Sequence, residues 1–505
     1  MEYYQFSNGQ VIEDETMSEL MFRIMDMKPH TSGVYSWDDI GTATLMRDLY
    51  TDLVRYCPQN GYWYVWDNRW VKQDENGIIS DMLQTLLNLL LLYCREVSSQ
   101  LTEDDEEEKE LVDKYRKYVS SIRKFTPMRN IMEVLKTMVR IPQNEMDTNP
   151  YLLNTTTGAY DLKTGKIIKD ITPYNVTKQT SCGLPTAFTK PCKRWYQFID
   201  EITGGNKDKA RFLQRALGYS LLGVNREECM FIAYGAKTRN GKGTLFSTIN
   251  TVLGEDYADS APSGLICEGK NGRQTDFNAP QPVFARLVGT RLVRMPESAE
   301  DVRLDANSMK AMTGRDTFIA RDLFKNAFSF VPQFTLWLET NHLPAVTDDT
   351  VFTSNRIFVI TFDVHFNGDK QDKNLKEIFS KPENRPTILK WLFDGCEDYI
   401  KNGLNPPECI LEATNNYRQL HDRIGNFLEE RCVFGDELKI KRGNLYSAYS
   451  QWCVKPDNRY KPMGTTSFYS KIEKRGYPIK HSNDGTYIYG LDIQQEDNPG
   501  TIKLT

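Results

Sequence analysis

Four short apolar runs organise the middle of the chain: residues 230–233, 292–295, 334–340 and 357–362. Each is four to seven residues long and bounded by turn-forming or charged residues, the pattern of strands buried on both faces. Between the second and third, residues 317–323 and 327–331 can pair about a turn at Lys325-Asn326. Upstream, residues 150–190 read as short strands with turns at Thr157-Gly158 and Thr164-Gly165. Amphipathic stretches near 195–202 and 210–222 predict two helices leading into the first buried strand.

The first 125 residues or so read as mostly helical, with a strand-rich insert at 61–70 turning at Asp67-Asn68. The tryptophans of this insert can pack across strands or stack on bases, and cross-strand packing is the favoured reading. Residues 86–93 form the longest apolar run, too short to span a bilayer and interrupted by Asn88, so a buried helix segment is expected. Residues 103–110, acidic but for Lys109, read as a solvated loop or helix end. Near the C-terminus, Leu445, Tyr446, Tyr449 and Trp452 make a helical stripe. Thr465 can cap a second helix carrying Phe468 and Ile472, and Asn483-Asp484-Gly485 predicts a hairpin. Helix, turn, helix, hairpin is the order of a winged helix.

The 505 residues suit two to four domains, and 26% charged residues is ordinary for a globular chain. The net charge of −5 excludes a basic coat, so nucleic-acid contacts must come from local patches. One such patch runs from Leu438 to Lys480, where ten Lys and Arg oppose only Asp457 and Glu473; Lys471, Lys474 and Arg475 lie on its second helix. The ten cysteines include no Cys-x-x-Cys pair and the five histidines are scattered, so unpaired thiols in a reducing cytosol and no zinc site are expected. The first residues lack a signal-peptide pattern, and no membrane association is expected.

The chemistry concentrates at Gly235-Ala-Lys-Thr-Arg-Asn-Gly-Lys-Gly-Thr244, between a buried strand and an amphipathic stretch. Strand, glycine loop and helix in that order aim backbone N–H groups and a helix N-terminus at a polyphosphate. Ala236, Asn240, Gly241, Lys242, Gly243 and Thr244 are therefore the candidate nucleotide contacts, with ATP and Mg²⁺ as ligands. Lys242 reaches the phosphates, and the hydroxyl of Thr244 serves the metal. Ala236 stands in the usual first-glycine slot, and the hydroxyl comes one residue later than usual, a Gly-Lys-Gly-Thr form also found in small nucleotide kinases. Glu297, after the second strand, is the candidate acid for Mg²⁺ and water, with Glu300 three further on. Asn341, at the tip of the third strand, is the candidate γ-phosphate sensor. Arg356 precedes the fourth strand and can act as a finger on a neighbouring subunit.

These motifs in this order resemble superfamily 3 helicases: Asn240-Gly-Lys-Gly-Thr244, Pro296-Glu-Ser-Ala-Glu300, Thr313-Gly-Arg-Asp-Thr-Phe-Ile-Ala-Arg321, Glu339-Thr-Asn-His-Leu-Pro344 and Asn355-Arg-Ile-Phe-Val-Ile360. The nearest likeness is to the phage and plasmid primase-helicase C-terminal module, related to the poxvirus primase-helicase. Tyr151-Leu-Leu-Asn154 and Phe212-Leu-Gln-Arg-Ala-Leu-Gly218 extend it upstream. Arg315 where glycine is usual, a single arginine at 356 and Pro296 before the acid depart from the family pattern. The resemblance implies an α/β fold: an AAA+ ATPase core at 229–365, preceded by a mainly helical domain at 1–150, a strand-rich segment at 151–190 and a helical lead-in at 191–228. A helical connector at 366–417 and a winged-helix-like domain at 418–505 follow. It implies a homo-hexameric ring on single-stranded or forked DNA, moving 3′ to 5′ in a bacterial host's cytoplasm, with Arg321 and Lys325 in a pore hairpin. No paired-aspartate and histidine site is evident in the first 190 residues, so primers are expected from a separate primase; a loader is a further expected partner. Two alternatives stay open: an origin-binding or packaging ATPase, and a nucleotide-kinase-like phosphotransferase.

Overall fold

Alternation along the four central apolar runs explains the architecture. In the computed structural model they are β7 (Met230–Tyr234), β10 (Leu292–Met295), β14 (Thr335–Thr340) and β16 (Ile357–Thr361), joined by β8 (Ala258–Ser260) in one sheet of order β16-β7-β14-β10-β8. Every pairing in this sheet is parallel. Phe231, Ala233, Trp337, Phe358 and Ile360 face one core, built with the helices Lys193–Ile202, Lys207–Tyr219, Lys242–Tyr257 and Arg385–Asn402. Met230, Ile232, Val293, Leu336 and Val359 face the other, against the helix Ala306–Thr313 and Tyr417 of the helix Glu408–His421. A parallel sheet covered on both faces needs such uninterrupted apolar strands. The structure describes residues 35–50, 52–73, 77–268, 282–296, 302–321, 327–346, 348, 350–368, 371–455 and 462–494.

Before the sheet, β1 (Val54–Cys57), β2 (Tyr62–Trp66) and β3 (Trp70–Gln73) form an antiparallel sheet. Trp63 and Trp70 are buried, and Trp66 meets Trp70 edge-on at 5.2 Å, so these rings serve cross-strand packing. The helix Gly77–Gln100 is long and apolar enough to cross a membrane by composition, but Ile79, Leu83, Leu86 and Leu87 are fully buried in a core shared with the helices Asp39–Leu49, Glu106–Ile122 and Phe125–Met138. The acidic run becomes a loop and the first turn of Glu106–Ile122, where carboxylates suit the helix dipole. β4 (Leu152–Thr155), β5 (Gly158–Asp161) and β6 (Lys166–Ile168) form a meander at the expected turns.

The helix Lys207–Tyr219 starts three residues before the apolar pattern suggests, because Asn206 caps it by accepting from Lys209 N at 2.9 Å. It crosses Arg385–Asn402 backbone to backbone: a Cβ on Gly218 would lie 2.1 Å from Cys396 N, and one on Gly395 2.1 Å from Gln214 O. Arg215, buried beside this crossing, pairs with Asp398 at 2.7 Å. Three two-residue strands, β9 (Cys267–Glu268), β11 (Arg303–Leu304) and β15 (Ala345–Val346), make a small side sheet. β12 (Phe318–Ala320) and β13 (Phe328–Phe330) form the expected hairpin, shorter than the apolar pattern suggested.

The C-terminal unit has its own core of Phe427, Leu445, Tyr449, Trp452, Phe468, Ile472 and Ile488. Its elements run helix Arg423–Arg431, β17 (Cys432–Lys441), helix Arg442–Val454, helix Thr465–Lys474, β18 (Ile479–Ser482) and β19 (Gly485–Ile493), with sheet order β17-β19-β18. The expected helices and hairpin are present. Gly464, rather than Thr465, is the cap residue of the second helix, and no side chain caps it. All ten cysteines are free thiols, nine of them buried.

Candidate functional site

β7 ends at Tyr234 and the chain turns through seven residues before the helix Lys242–Tyr257. Asn240, buried, folds the loop on itself: its Nδ2 donates to Lys237 O at 2.7 Å. Gly235 leaves room for that amide, since a Cβ there would sit 2.1 Å from Asn240 Nδ2. Gly241 has φ +88°, a left-handed conformation that glycine takes without strain. The loop's outer residues are tied to the segment after β16: Thr238 O meets His365 Nδ1 at 2.7 Å, and Phe366 N donates to Arg239 O at 2.8 Å. Ala236 is exposed at the loop's outer bend.

Lys242 is the first residue of the helix and only 4% exposed. Its ammonium donates to Thr340 O at 2.7 Å, Asn341 Oδ1 at 2.8 Å and Gly235 O at 3.3 Å. The fold therefore brings the glycine loop and the tip of β14 together, as the sequence anticipated for Lys242 and Asn341. Glycine loop, ammonium and first-turn amides converge at the C-terminal ends of parallel strands, a donor set that suits a polyphosphate. Gly243 and Thr244 continue the first turn. Glu297, Glu300 and Lys325 lie outside the described residues.

Arg356 lies at the opposite end of the sheet. It immediately precedes β16, and its backbone O accepts from Met230 N at 2.9 Å. Its guanidinium pairs with Glu228 Oε2 at 2.5 Å and donates to Thr313 Oγ1 at 3.3 Å. The five residues of β16 place it roughly 16 Å from the level of Lys242. It is therefore remote from its own chain's glycine loop. Arg321 is exposed directly after β12. In the C-terminal unit Lys474 is exposed, whereas Arg475 is committed to Asp422, whose carboxylate also accepts from Gly425 N at the head of Arg423–Arg431. Burial acts against the Asp422 carboxylate, but Arg475, the Gly425 amide and nearby Lys471 outweigh it and keep its pKa below the usual value.

Two groups at the site were not singled out from sequence. Arg294 of β10 and Glu339 of β14 pair across neighbouring strands, Nη2 to Oε2 at 2.5 Å and Nε to Oε2 at 2.8 Å. The signal was present: each is a charge inside an otherwise apolar strand, and buried charges need partners. A separate wide cleft of about 1790 Å³ runs between the β1–β3 sheet and the β12–β13 hairpin, away from Lys242. Among the described residues lining it, Arg69, Lys72, Lys178 and Arg286 are balanced by Asp147, Glu255, Asp256 and Asp259, so these carry no net charge to attract a polyanion.

Comparison with known proteins bears on both ends of the chain. Residues 43–204 match the family described as D5 N terminal like, and residues 420–485 match Poxvirus D5 protein-like. A protein provisionally named helicase L207/L206 of Acanthamoeba polyphaga mimivirus is 25% identical over 435 residues, 78% of this chain and 43% of its own length. One provisionally named helicase 022R of Frog virus 3 (isolate Goorha) is 27% identical over 288 residues, 54% of this chain and 29% of its own. The chain thus spans less than half the length of these relatives. Among solved structures, the apo A form of the NrS-1 C terminal region is similar at 12% identity and TM-score 0.45, over 89% of this chain and 99% of that one. With matches in its N-terminal and C-terminal regions and viral relatives that bear the helicase name, the chain is similar to the poxvirus-type primase-helicases, in keeping with the order of its motifs.

Proposed function

We propose that the chain is an ATP-dependent DNA helicase of a virus or other mobile element. On this reading it has an AAA+ core and works as a homo-hexameric ring that moves along single-stranded DNA and opens duplex ahead of it. The observation that carries the reading is the meeting of Lys242 with Asn341 at the ends of adjacent parallel strands. ATP needs a cation and amides for its phosphates, and hydrolysis needs a polar group beside the γ-phosphate. Lys242 and the amides of 241–244 would hold the phosphates, and Asn341 would orient the attacking water. Thr244 and Glu297 are the groups the sequence offers to Mg²⁺, which would neutralise charge on the phosphates. Arg356, remote from its own loop, suits action on a neighbour's nucleotide. The β12–β13 hairpin with Arg321, and Lys325 by sequence, would touch the translocating strand. The helix and strand order after residue 422 supports a winged-helix reading, in which Lys471 and Lys474 of the helix Thr465–Lys474 would meet DNA phosphates and Arg475 would hold Asp422. The viral sources of the relatives widen the range of elements beyond phage.

The test is strand displacement on a forked DNA with ATP, comparing wild type with Lys242→Ala. Unwinding that disappears in the variant is expected. DNA-stimulated hydrolysis without displacement would favour an origin-binding or packaging ATPase. Hydrolysis and displacement both absent from wild type would refute the reading.

A further inference from the structure

The residue after the phosphate-loop lysine ordinarily carries the hydroxyl that faces Mg²⁺. Here that residue is Gly243, and Thr244, the next position, is turned about 100° round the helix. Among the described residues, an ideal Cβ on Gly243 would have one neighbour within 4 Å beyond its own helix backbone and chain neighbours: Glu339 Oε1, at 3.6 Å. A carboxylate oxygen therefore approaches the place from which the hydroxyl is missing.

Its setting is built. Glu339 is the penultimate residue of β14, with its side chain 13% exposed. Its Oε2 takes both contacts from Arg294, Nη2 at 2.5 Å and Nε at 2.8 Å. Arg294 is itself supported by the Phe246 ring, 6.0 Å from its Cζ. One carboxylate oxygen is fixed by the arginine and the other turns toward the head of Lys242–Tyr257, where the helix dipole favours negative charge. Two residues on, Asn341 touches the Lys242 ammonium. Such an enclosed ion pair adds little to stability compared with apolar packing. A carboxylate facing a triphosphate is repulsive unless a cation lies between them.

We propose that Glu339, oriented by Arg294, supplies the oxygen that faces the nucleotide's divalent cation in place of a hydroxyl at position 243. The proposal rests on the nucleotide-binding reading of the loop. It makes Gly243 and Glu339 a compensating pair: the side chain lost from the helix is replaced from the neighbouring strand, and Arg294 is a positioning residue.

The experiment is calorimetric titration of the full chain with a non-hydrolysable ATP analogue, in EDTA and across a range of Mg²⁺ concentrations. The proteins are wild type, Lys242→Ala, Glu339→Gln and the double variant Gly243→Ser/Glu339→Gln. Mg²⁺ should tighten binding in wild type. Glu339→Gln should raise the Mg²⁺ concentration needed by about tenfold or more while binding in EDTA, relieved of the carboxylate's repulsion, is no weaker than wild type. The serine of the double variant should recover most of that loss, since the position has room for a side chain. An unchanged Mg²⁺ requirement in Glu339→Gln would overturn the proposal. Absent binding in wild type, or binding indifferent to Lys242→Ala, would overturn the nucleotide reading beneath it, and is seen without any Glu339 variant. If Glu339→Gln melts early, Gly243→Ser alone serves: a hydroxyl beside the carboxylate should lower the Mg²⁺ requirement, and no change would count against the assignment.

Discussion

Replacing Gly241 by alanine attacks the glycine loop where both the backbone conformation and the packing call for glycine. Two costs are separable in the structure. The first is conformational: φ is +88°, and an L-residue held in left-handed backbone loses about 1–2 kcal/mol. The second is steric. The new Cβ would stand 2.3 Å from Ile202 Cγ2, where ordinary contact begins at 3.4 Å, so one side must yield by 1.1 Å (3.4 − 2.3). Ile202 is 1% exposed and shares its core with Trp195 and Phe198, themselves 0% and 1% exposed, so it has little room to yield. Overpacking of this kind costs about 1–3 kcal/mol, giving a total near 2–5 kcal/mol. Ile202→Ala removes the obstructing methyl but leaves φ untouched, and by itself costs about 2–5 kcal/mol through the cavity it opens. Urea unfolding of wild type, both single variants and the double variant isolates the steric part. The double variant should be more stable than the sum of the singles predicts by about 1–3 kcal/mol. Additive losses would refute the steric argument, and a Gly241→Ala protein within about 0.5 kcal/mol of wild type would refute both parts.

Two further outcomes are expected. Burial disfavours the Asp398 carboxylate, but hydrogen bonds from Arg211, Arg215 and Asn402 outweigh it and hold its pKa at about 2 against an ordinary 3.8. The folded value is the lower one, so this contribution is complete above about pH 4 and fades as pH falls toward 2; Asp398→Asn should flatten that part of the stability–pH curve in acid unfolding. It should also cost about 1–3 kcal/mol at neutral pH by depriving buried Arg215 of its counter-charge, and an unaltered acid limb would contradict the assignment. If Arg356 serves a neighbour's nucleotide, Arg356→Ala and Lys242→Ala proteins, each inactive alone, should recover part of their ATP hydrolysis when mixed, whereas no recovery would argue for a role within its own chain.

How much was legible depended on sequence distance and on solvent. Four of the five parallel strands were readable because burial on both faces makes them unbroken apolar runs, whereas β8, Ala258–Ser260, has no such run; Lys242 and Asn341 were readable because each sits where an apolar run meets a loop. The Arg294–Glu339 pair was not, although both charges break apolar strands: nothing local says that two residues 45 positions apart become neighbours. The strand β17 was missed because it is mostly exposed and shifts register between Phe434 and Lys439, so it lacks the alternation that marks a half-buried strand. The cap on Lys207–Tyr219 was a missed local signal, since Asn206 sits three residues before Lys209 in the chain itself. Gly218 and Gly395 gave no signal at all, because a glycine needed for close approach looks like any other until its partner is known.

That glycine crossing has a consequence for how the parallel-sheet unit is held together. The helices Lys207–Tyr219 and Arg385–Asn402 lie on either side of the whole parallel sheet in sequence, yet they meet backbone to backbone. The chain is clasped like a belt, with the buckle made from its two ends and every strand threaded between them. Trp337 at the centre of the sheet hydrogen-bonds Ser220 just beyond the first helix at 2.9 Å, and Tyr399 on the second reaches Glu227 at 2.6 Å, so the clasp grips the sheet as well as itself. A cut made just ahead of β7 or just after β16 would open the buckle and strip one face of the sheet, and a piece that also keeps Ile202 and Phe198 packed on Gly241 must therefore begin at the helix Lys193–Ile202 and run to the end of Arg385–Asn402.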